Sequence, residues 1–211
     1  LGDVYKRQIF AILLNELRGK VFKSAVQTIS YIPHFLSVVV ICSMLNGFGS
    51  TSGLFNDIRN LLGMARVDMN NGSQYFLPLY LGSQVWQTVG WSSIMYLSAL
   101  SNVDVTLYDV ANIDGANRWQ QFWHITLPQL RPTTFFVVIM LTISGFKVYD
   151  QMYMITQGGP GTATMTLVYY IYNVAFVNTP KYGYASAISM VLFVLVLIVT
   201  IIQFRGSKGE N

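Results

Sequence analysis

Three stretches of this chain, 24–56, 69–103 and 182–204, contain no Asp, Glu, Lys or Arg. A membrane-spanning helix needs about 20 predominantly apolar residues to cross ~30 Å of hydrocarbon, and each stretch supplies them. A fourth run, 132–146, reaches that length only when it is carried through Lys147 and Asp150 to about Thr156. Charged residues make up 10% of the chain and apolar residues 53%, whereas soluble domains carry roughly 25% charged residues. Barrel strands would be half as long and would alternate every second residue. The expected fold is therefore an all-α polytopic membrane protein, with spans near 25–47, 77–99, 132–155 and 184–204.

The ends carry separate signals. Ile9-Phe-Ala-Ile-Leu-Leu14 reads as a partial span, 9–14, whose beginning is missing, so an N-terminally truncated chain is expected. Residues 1–8 show no apolar period and would put Lys6 and Arg7 inside that span, so they read as a non-native or fragment-end segment. Residues 207–211 form a polar tail. Lys and Arg in short loops orient a membrane protein. Arg18, Lys20 and Lys23, Arg118 and Arg131, and Arg205 and Lys208 fall on one side, against Arg59, Arg66 and Lys181 on the other. The first set, with the C-terminus, is expected in the cytoplasm. The net charge of +4 is then a topology signal and gives no ground for a nucleic-acid partner. The single Cys42 excludes a disulfide framework within the chain.

Between the second and third spans lies a polar element, 104–127. Thr106-Leu-Tyr-Asp109 has capping-box spacing, with a hydroxyl to cap the helix start and a carboxylate in the first turn. A short helix through Ile113 is expected. Gly115 would break it, and Asp114 would cap a second helix from Ala116 to about Ile125. Leu127-Pro128 would end that helix, with Pro132 in the first turn of the next span. Trp119, Phe122 and Trp123 recur at helical spacing and would anchor the element to the interface or the bundle. Gly115 is expected to tolerate substitution far less than Asn117. A water-facing element in so apolar a chain reads as a docking surface for a soluble partner, or as an ordinary interfacial loop.

The residues Asp109-Val110-Ala111, Ile113-Asp114-Gly115-Ala116, Phe122, Ile125, Leu127-Pro128 and Pro132 resemble the EAA loop of inner-membrane permeases of binding-protein-dependent ABC importers. The usual opening Glu-Ala-Ala is here Asp-Val-Ala, so the acid is one methylene shorter. Leu13-Leu-Asn-Glu16, Tyr31-Ile-Pro-His-Phe-Leu-Ser37, Phe146-Lys-Val-Tyr-Asp150, Gly158-Gly-Pro-Gly161, Thr166-Leu-Val-Tyr-Tyr170 and Tyr182-Gly-Tyr-Ala-Ser-Ala187 are similar to the carbohydrate branch, the maltose-type and glycerol-3-phosphate-type permeases. The resemblance covers roughly 9–206. It implies a type I permease-like helical bundle in the bacterial cytoplasmic membrane, importing a sugar or related carbohydrate. It also implies a coupling helix formed by Asp109, Val110, Ala111, Asp114, Gly115, Ala116, Phe122, Leu127 and Pro128 that docks on a separate ATPase. The implied partners are ABC ATPase subunits, a second homologous permease and an extracytoplasmic solute-binding protein, within membrane lipid.

Other polar residues keep two readings each. Lys147 and Asp150, three apart on one helix face, would line the outer mouth of a translocation path with Tyr149, or form a neutralised interfacial pair. Gln84, Gln87 and Thr88 would bond sugar hydroxyls, or neighbouring helices, where Ser83, Gly90, Ser92 and Ser93 also favour close packing. Pro33 is expected to kink its span, with His34 structural beside it and His124 part of the coupling surface. Gly158-Gly-Pro-Gly161 reads as a rigid outer turn. The segment 53–62 has a 3,4 apolar period and reads as a helix flat on the outer membrane surface, facing the solute-binding protein.

No catalytic constellation, phosphate-binding Gly-rich loop or metal-ligand spacing occurs in the sequence, so neither catalysis nor a cofactor is expected of this chain. A membrane enzyme would have to rely on Asp104, Asp109 and Asp114, two of which are accounted for as caps. The alternative to the importer is a secondary transporter, or another polytopic protein without ATPase coupling. Such transporters commonly carry inverted repeats, and none is evident here.

Overall fold

A computed structural model describes residues 2–17, 19–70, 73–159, 161–177 and 179–208. Leu1, Arg18, Pro160 and the tail residues 209–211 lie outside the described residues. Every regular element among those described is helical. Two compact units are formed by interleaved segments: Leu1–Phe35 with Val85–Met140, and Leu36–Gln84 with Leu141–Asn211.

In the first unit, α1 (Gly2–Glu16) buries Val4, Gln8, Ala11 and Leu14. That three- and four-residue spacing begins before Ile9, so the helix runs through 2–8, where no apolar period was expected. Next, α2 (Lys20–Tyr31) gives way to a 3-10 turn, Ile32–Phe35. Pro33 has no N–H to donate to the preceding turn. The span expected at 25–47 is thus divided where only a kink was expected. A new helix, α3 (Val38–Gly49), begins after Ser37, whose hydroxyl accepts from Val40 N–H at 3.3 Å.

The long helix α5 (Ser73–Ser101) covers the expected 77–99 without a break, with Pro78 in its first two turns. It approaches α2 closely at Gly90, where an added Cβ would stand 2.1 Å from the Ser30 carbonyl oxygen. Only glycine fits there. One turn of contact further, the His34 ring stacks on Trp91 at 4.6 Å and 4°, with Phe35 edge-on to the same indole. His34 therefore packs as an aromatic plate, in keeping with its structural reading. Tyr96 and Leu130 are fully buried in this unit.

In the second unit, α3 and α4 (Leu54–Leu61) are joined by a tight turn at Gly53, where a Cβ would collide with the Gly47 and Phe48 carbonyls. Asn56 is fully buried. Its amide donates to the Ser50 and Val67 carbonyls, both at 2.7 Å, and its oxygen accepts from Val67 N–H at 2.9 Å. Arg66 donates to Thr51 O and pairs with Asp57 at 2.6 Å, and Arg59 closes on Ala65 O. Asn70 donates to Asn46 O, and Asn46 donates to Met154 O at 3.2 Å. The segment 46–70 is a buckle locked by polar side chains, with the apolar Ile58, Leu61 and Leu62 exposed.

The helix α9 (Arg131–Phe146) stops short of the expected 132–155. Residues 147–149 are not helical, and a π-helical turn, Met152–Thr156, follows. Lys147 and Asp150 therefore do not share a continuous helix face. Both are exposed, and no ion pair joins them among the described residues. Gly158 and Gly161 adopt positive φ in the turn that follows. After it come α10 (Leu167–Tyr172), capped by the Thr166 hydroxyl, a second π turn, Asn173–Val177, and α11 (Tyr182–Lys208). Val174, Ala175 and Ala185 form the core there, packed by Ile171. Gln203 ties α11 to Thr142 at 2.8 Å.

Among the described residues, two stretches are long and apolar enough to cross a membrane: Val38–Leu61, with mean hydropathy 1.5, and Tyr182–Gly206, with 2.9. Arg118–Gln129 and Arg131–Phe146 reach that standard together, bent by 55°. The polar side chains Ser83, Gln84, Gln87, Thr88, Ser92 and Ser93 make α5 less apolar than these, although its length suffices.

Candidate coupling element

The element at 104–130 belongs to the first unit and is a hairpin of two short helices. Asp104 caps α6 (Val105–Ile113), its carboxylate accepting from Thr106 N–H at 2.9 Å. Backbone and side-chain hydrogen bonds from Thr106 hold that carboxyl below its ordinary pKa. This corrects the expected cap: Thr106 is already inside the helix, and Asp109 lies in its middle, exposed. The capping residue is two positions earlier because Asp104, after the turn that follows α5, takes extended backbone (φ −64, ψ 119).

The turn is made where Gly115 was expected to make it. Gly115 has φ +75, and no heavy atom lies within 4 Å of a Cβ built on it. The demand for glycine is purely conformational, since L-residues rarely adopt that region. Ala116 N–H returns to Ala111 O at 2.9 Å, closing the C-terminal end of α6. Asp114 lies at the end of α6 and does not cap the second helix. That cap is Asn117, whose side chain accepts from Gln120 N–H at 2.9 Å while Gln120 Oε1 accepts from Asn117 N–H at 2.8 Å. The helix accordingly starts at Arg118, as α7 (Arg118–Gln121), later than Ala116. Gly115 and Asn117 thus have distinct duties, one as the positive-φ turn and the other as the cap of the second helix.

Two further bonds join the arms. Gln121 donates to Asn112 Oδ1 at 2.6 Å and to Ala116 O at 3.1 Å, and the Tyr108 hydroxyl meets the Thr126 hydroxyl at 2.8 Å. A π turn, Phe122–Thr126, then α8 (Leu127–Gln129), leads into α9. Trp119, Phe122 and Trp123 pack on one another at 5.4–5.7 Å. His124 lies within a hydrogen bond of Gln120 O.

The hairpin gathers all nine residues expected to couple. Asp109, Val110, Asp114 and Gly115 are exposed, while Ala111, Ala116, Phe122, Leu127 and Pro128 are half-buried between the arms and the start of α9. Val105 and Val110 are exposed on α6, and Ile113 retains 86% of its accessible surface at the tip. An apolar, stiffened tip held by polar bonds behind it is suited to entering a cleft of another protein. The residues expected along a path fall in both units. Gln87 is buried in the first unit, whereas Gln84, Lys147, Tyr149 and Asp150 belong to the second.

Residues 9–206 match the family described as binding-protein-dependent transport system inner membrane component. The chain belongs to this family. It is 31% identical over 96% of its length to the polygalacturonan/rhamnogalacturonan transport system permease protein YteP of Bacillus subtilis, spanning 64% of that protein. To the trehalose/maltose transport system permease protein MalF of Thermococcus litoralis it is 35% identical over 94% of its length, spanning 66%. The chain thus spans under two thirds of each of these relatives. A crystal structure of a bacterial alginate ABC transporter in complex with alginate pentasaccharide-bound periplasmic protein aligns with a TM-score of 0.87 and 29% identity. That alignment covers 95% of this chain and 70% of the other.

Proposed function

We propose that this chain is a transmembrane permease subunit of an ATP-driven importer for a sugar or related carbohydrate. The exposed tip of the 104–130 hairpin docks on a separate ATPase subunit. Cross-bonds at Gln121 and Tyr108 make the hairpin a rigid lever, and α9, entered through Leu130, receives its motion. The observation that carries this reading is the pairing of an apolar tip with a polar framework of caps. A loop that merely crossed an interface would need no such stiffening. The sugar-transport names of the relatives and the oligosaccharide-bound partner of the alginate transporter support the substrate class.

The remaining partners follow from the same reading: a second homologous permease, two ATPase subunits and an extracytoplasmic solute-binding protein. The C-terminus and the hairpin are cytoplasmic, and the 46–70 buckle is extracytoplasmic. The path-lining role stays with Gln84, Gln87, Lys147, Tyr149 and Asp150. Co-expression with the neighbouring transport genes and reconstitution into proteoliposomes tests the proposal. Sugar uptake should require ATP on the hairpin side. Uptake by the permease without any ATPase would contradict it.

A further inference from the structure

The second unit contains a continuous network of aromatic rings that the coupling account does not use. Tyr149 and Tyr153 stack at 5.4 Å and 16°. Tyr169 and Tyr172 pack against both, Tyr172 leads to Phe176 at 5.5 Å, and Phe176 to Tyr182 at 6.4 Å. The two π turns, Met152–Thr156 and Asn173–Val177, lie beside these rings in the sequence. Such one-residue insertions recur at functional sites because they re-aim side chains.

Two features argue against a mere apolar core. Five of the six rings are tyrosines, and each brings a hydroxyl whose burial costs free energy unless it is partnered. The Tyr149 and Tyr172 rings pack at 5.1 Å and 49°, which brings their hydroxyl-bearing edges into one cluster. The outer rings are left open, with Tyr153 41%, Phe176 67% and Tyr182 63% exposed. An interfacial lipid belt is also a poor description. Belt aromatics anchor individual helices at headgroup level, whereas these rings touch one another and converge on one unit.

A surface offering apolar ring faces with hydroxyls at their edges is complementary to a pyranose. Its axial C–H bonds form a weakly positive apolar face, attracted to the negative face of an aromatic ring, while its equatorial hydroxyls lie in the plane. We infer that Tyr153, Phe176 and Tyr182, backed by Tyr149, Tyr169 and Tyr172, form a stacking site for the pyranose rings of an oligosaccharide. The site has several successive rings, so it accepts more than one sugar residue and receives the chain end-to-end before transport. This inference rests on the sugar-importer reading and adds a second contact region to it.

The test uses the complete transporter in proteoliposomes with its binding protein, and maltotriose and trigalacturonate as probes. Phe176→Leu and Tyr182→Leu keep the apolar volume and remove the π-face. For the probe that the wild type imports, KM should rise about threefold to tenfold, the range for loss of one aromatic contact. Tyr182→Phe and Phe176→Tyr, which keep the ring, should stay within about twofold of wild type. Saturation-transfer NMR on the wild type, irradiating aromatic protons, should mark the sugar ring C–H protons, and the signal should fall in both Leu variants. Import with unaltered KM and unaltered saturation transfer in the Leu variants overturns the stacking site and leaves the importer intact. Absence of ATP-dependent import of any sugar by the wild type overturns both.

Discussion

The hairpin at 104–130 and the buckle at 46–70 are both short, polar interruptions between apolar helices, yet they hold their shapes by different means. The hairpin is held within itself: near-neighbour caps from Asp104 to Thr106 and Asn117 to Gln120, a positive-φ glycine between them, and the Gln121–Asn112 and Tyr108–Thr126 bonds between its own arms. Its first helix leaves Val105, Val110 and Ile113 exposed. The buckle is built from distant bonds: Asn56 to Val67, Asn70 to Asn46, and Asn46 to Met154. Its central polar side chain is fully buried. A locally held hairpin keeps its form while its surroundings move, which suits a lever. A buckle fastened by buried long-range bonds moves only as one piece with the elements it clasps.

The largest expected effect lies in the buckle. Asn56→Leu would strand the Val67 N–H and the Ser50 and Val67 carbonyls, at a cost of roughly 3 kcal/mol or more in local stability. Hydrogen exchange across 50–70 should accelerate strongly, with no change at 104–130. Equal acceleration in both regions would show that they are not independently held.

Next comes Gly115→Val. The site has open space, so the whole cost is backbone strain, on the order of 1–3 kcal/mol for a β-branched residue at φ +75. Stimulation of the ATPase by loaded binding protein should fall while membrane insertion persists. Gly115→Asn should recover much of it, because Asn tolerates this region. Normal stimulation in the Val variant would reduce the hairpin to an interfacial loop.

Asn117→Ala removes the reciprocal cap at a cost of about 1 kcal/mol, and should weaken the same stimulation more mildly. Ser at 117 should restore it. The smallest effect concerns Asp104. Its carboxyl is held below its ordinary value in the fold, so its capping contribution is present above the unfolded-state pKa and fades as pH falls through the folded-state value. Asp104→Asn should keep the cap and remove that acid dependence from hydrogen exchange at Thr106. An unchanged acid profile in the Asn variant would assign the dependence to another group.

The same contrast explains what could be read beforehand. The run lengths announced a helical membrane protein because hydropathy acts over a whole span. Gly115 was legible because its requirement is local. The capping box at Asn117 was also within reach, since Asn-x-x-Gln is a readable spacing, but Asp114 competed for the role. Thr106 and Asp109 offered a better-known spacing than the single carboxylate of Asp104, and backbone geometry at Asp104 decided between them. Pro33 announced a kink, but not that the helix would break there; the Asn56 lock depends on partners elsewhere in the chain, and the end of α9 before Lys147 is not marked by a helix-stop residue after it. The tyrosine network is likewise unmarked by any local pattern, because its rings are contributed by three separate segments.

The central claim is that the hairpin tip enters the ATPase. A photo-cross-linking amino acid placed at Val110, and in a second variant at Ile58, tests it within the assembled transporter in native membranes. The account predicts that Val110 yields a product with the ATPase subunit and Ile58 yields none with it. An ATPase product from Ile58, or none from Val110 in a complex that hydrolyses ATP in response to sugar, would contradict it.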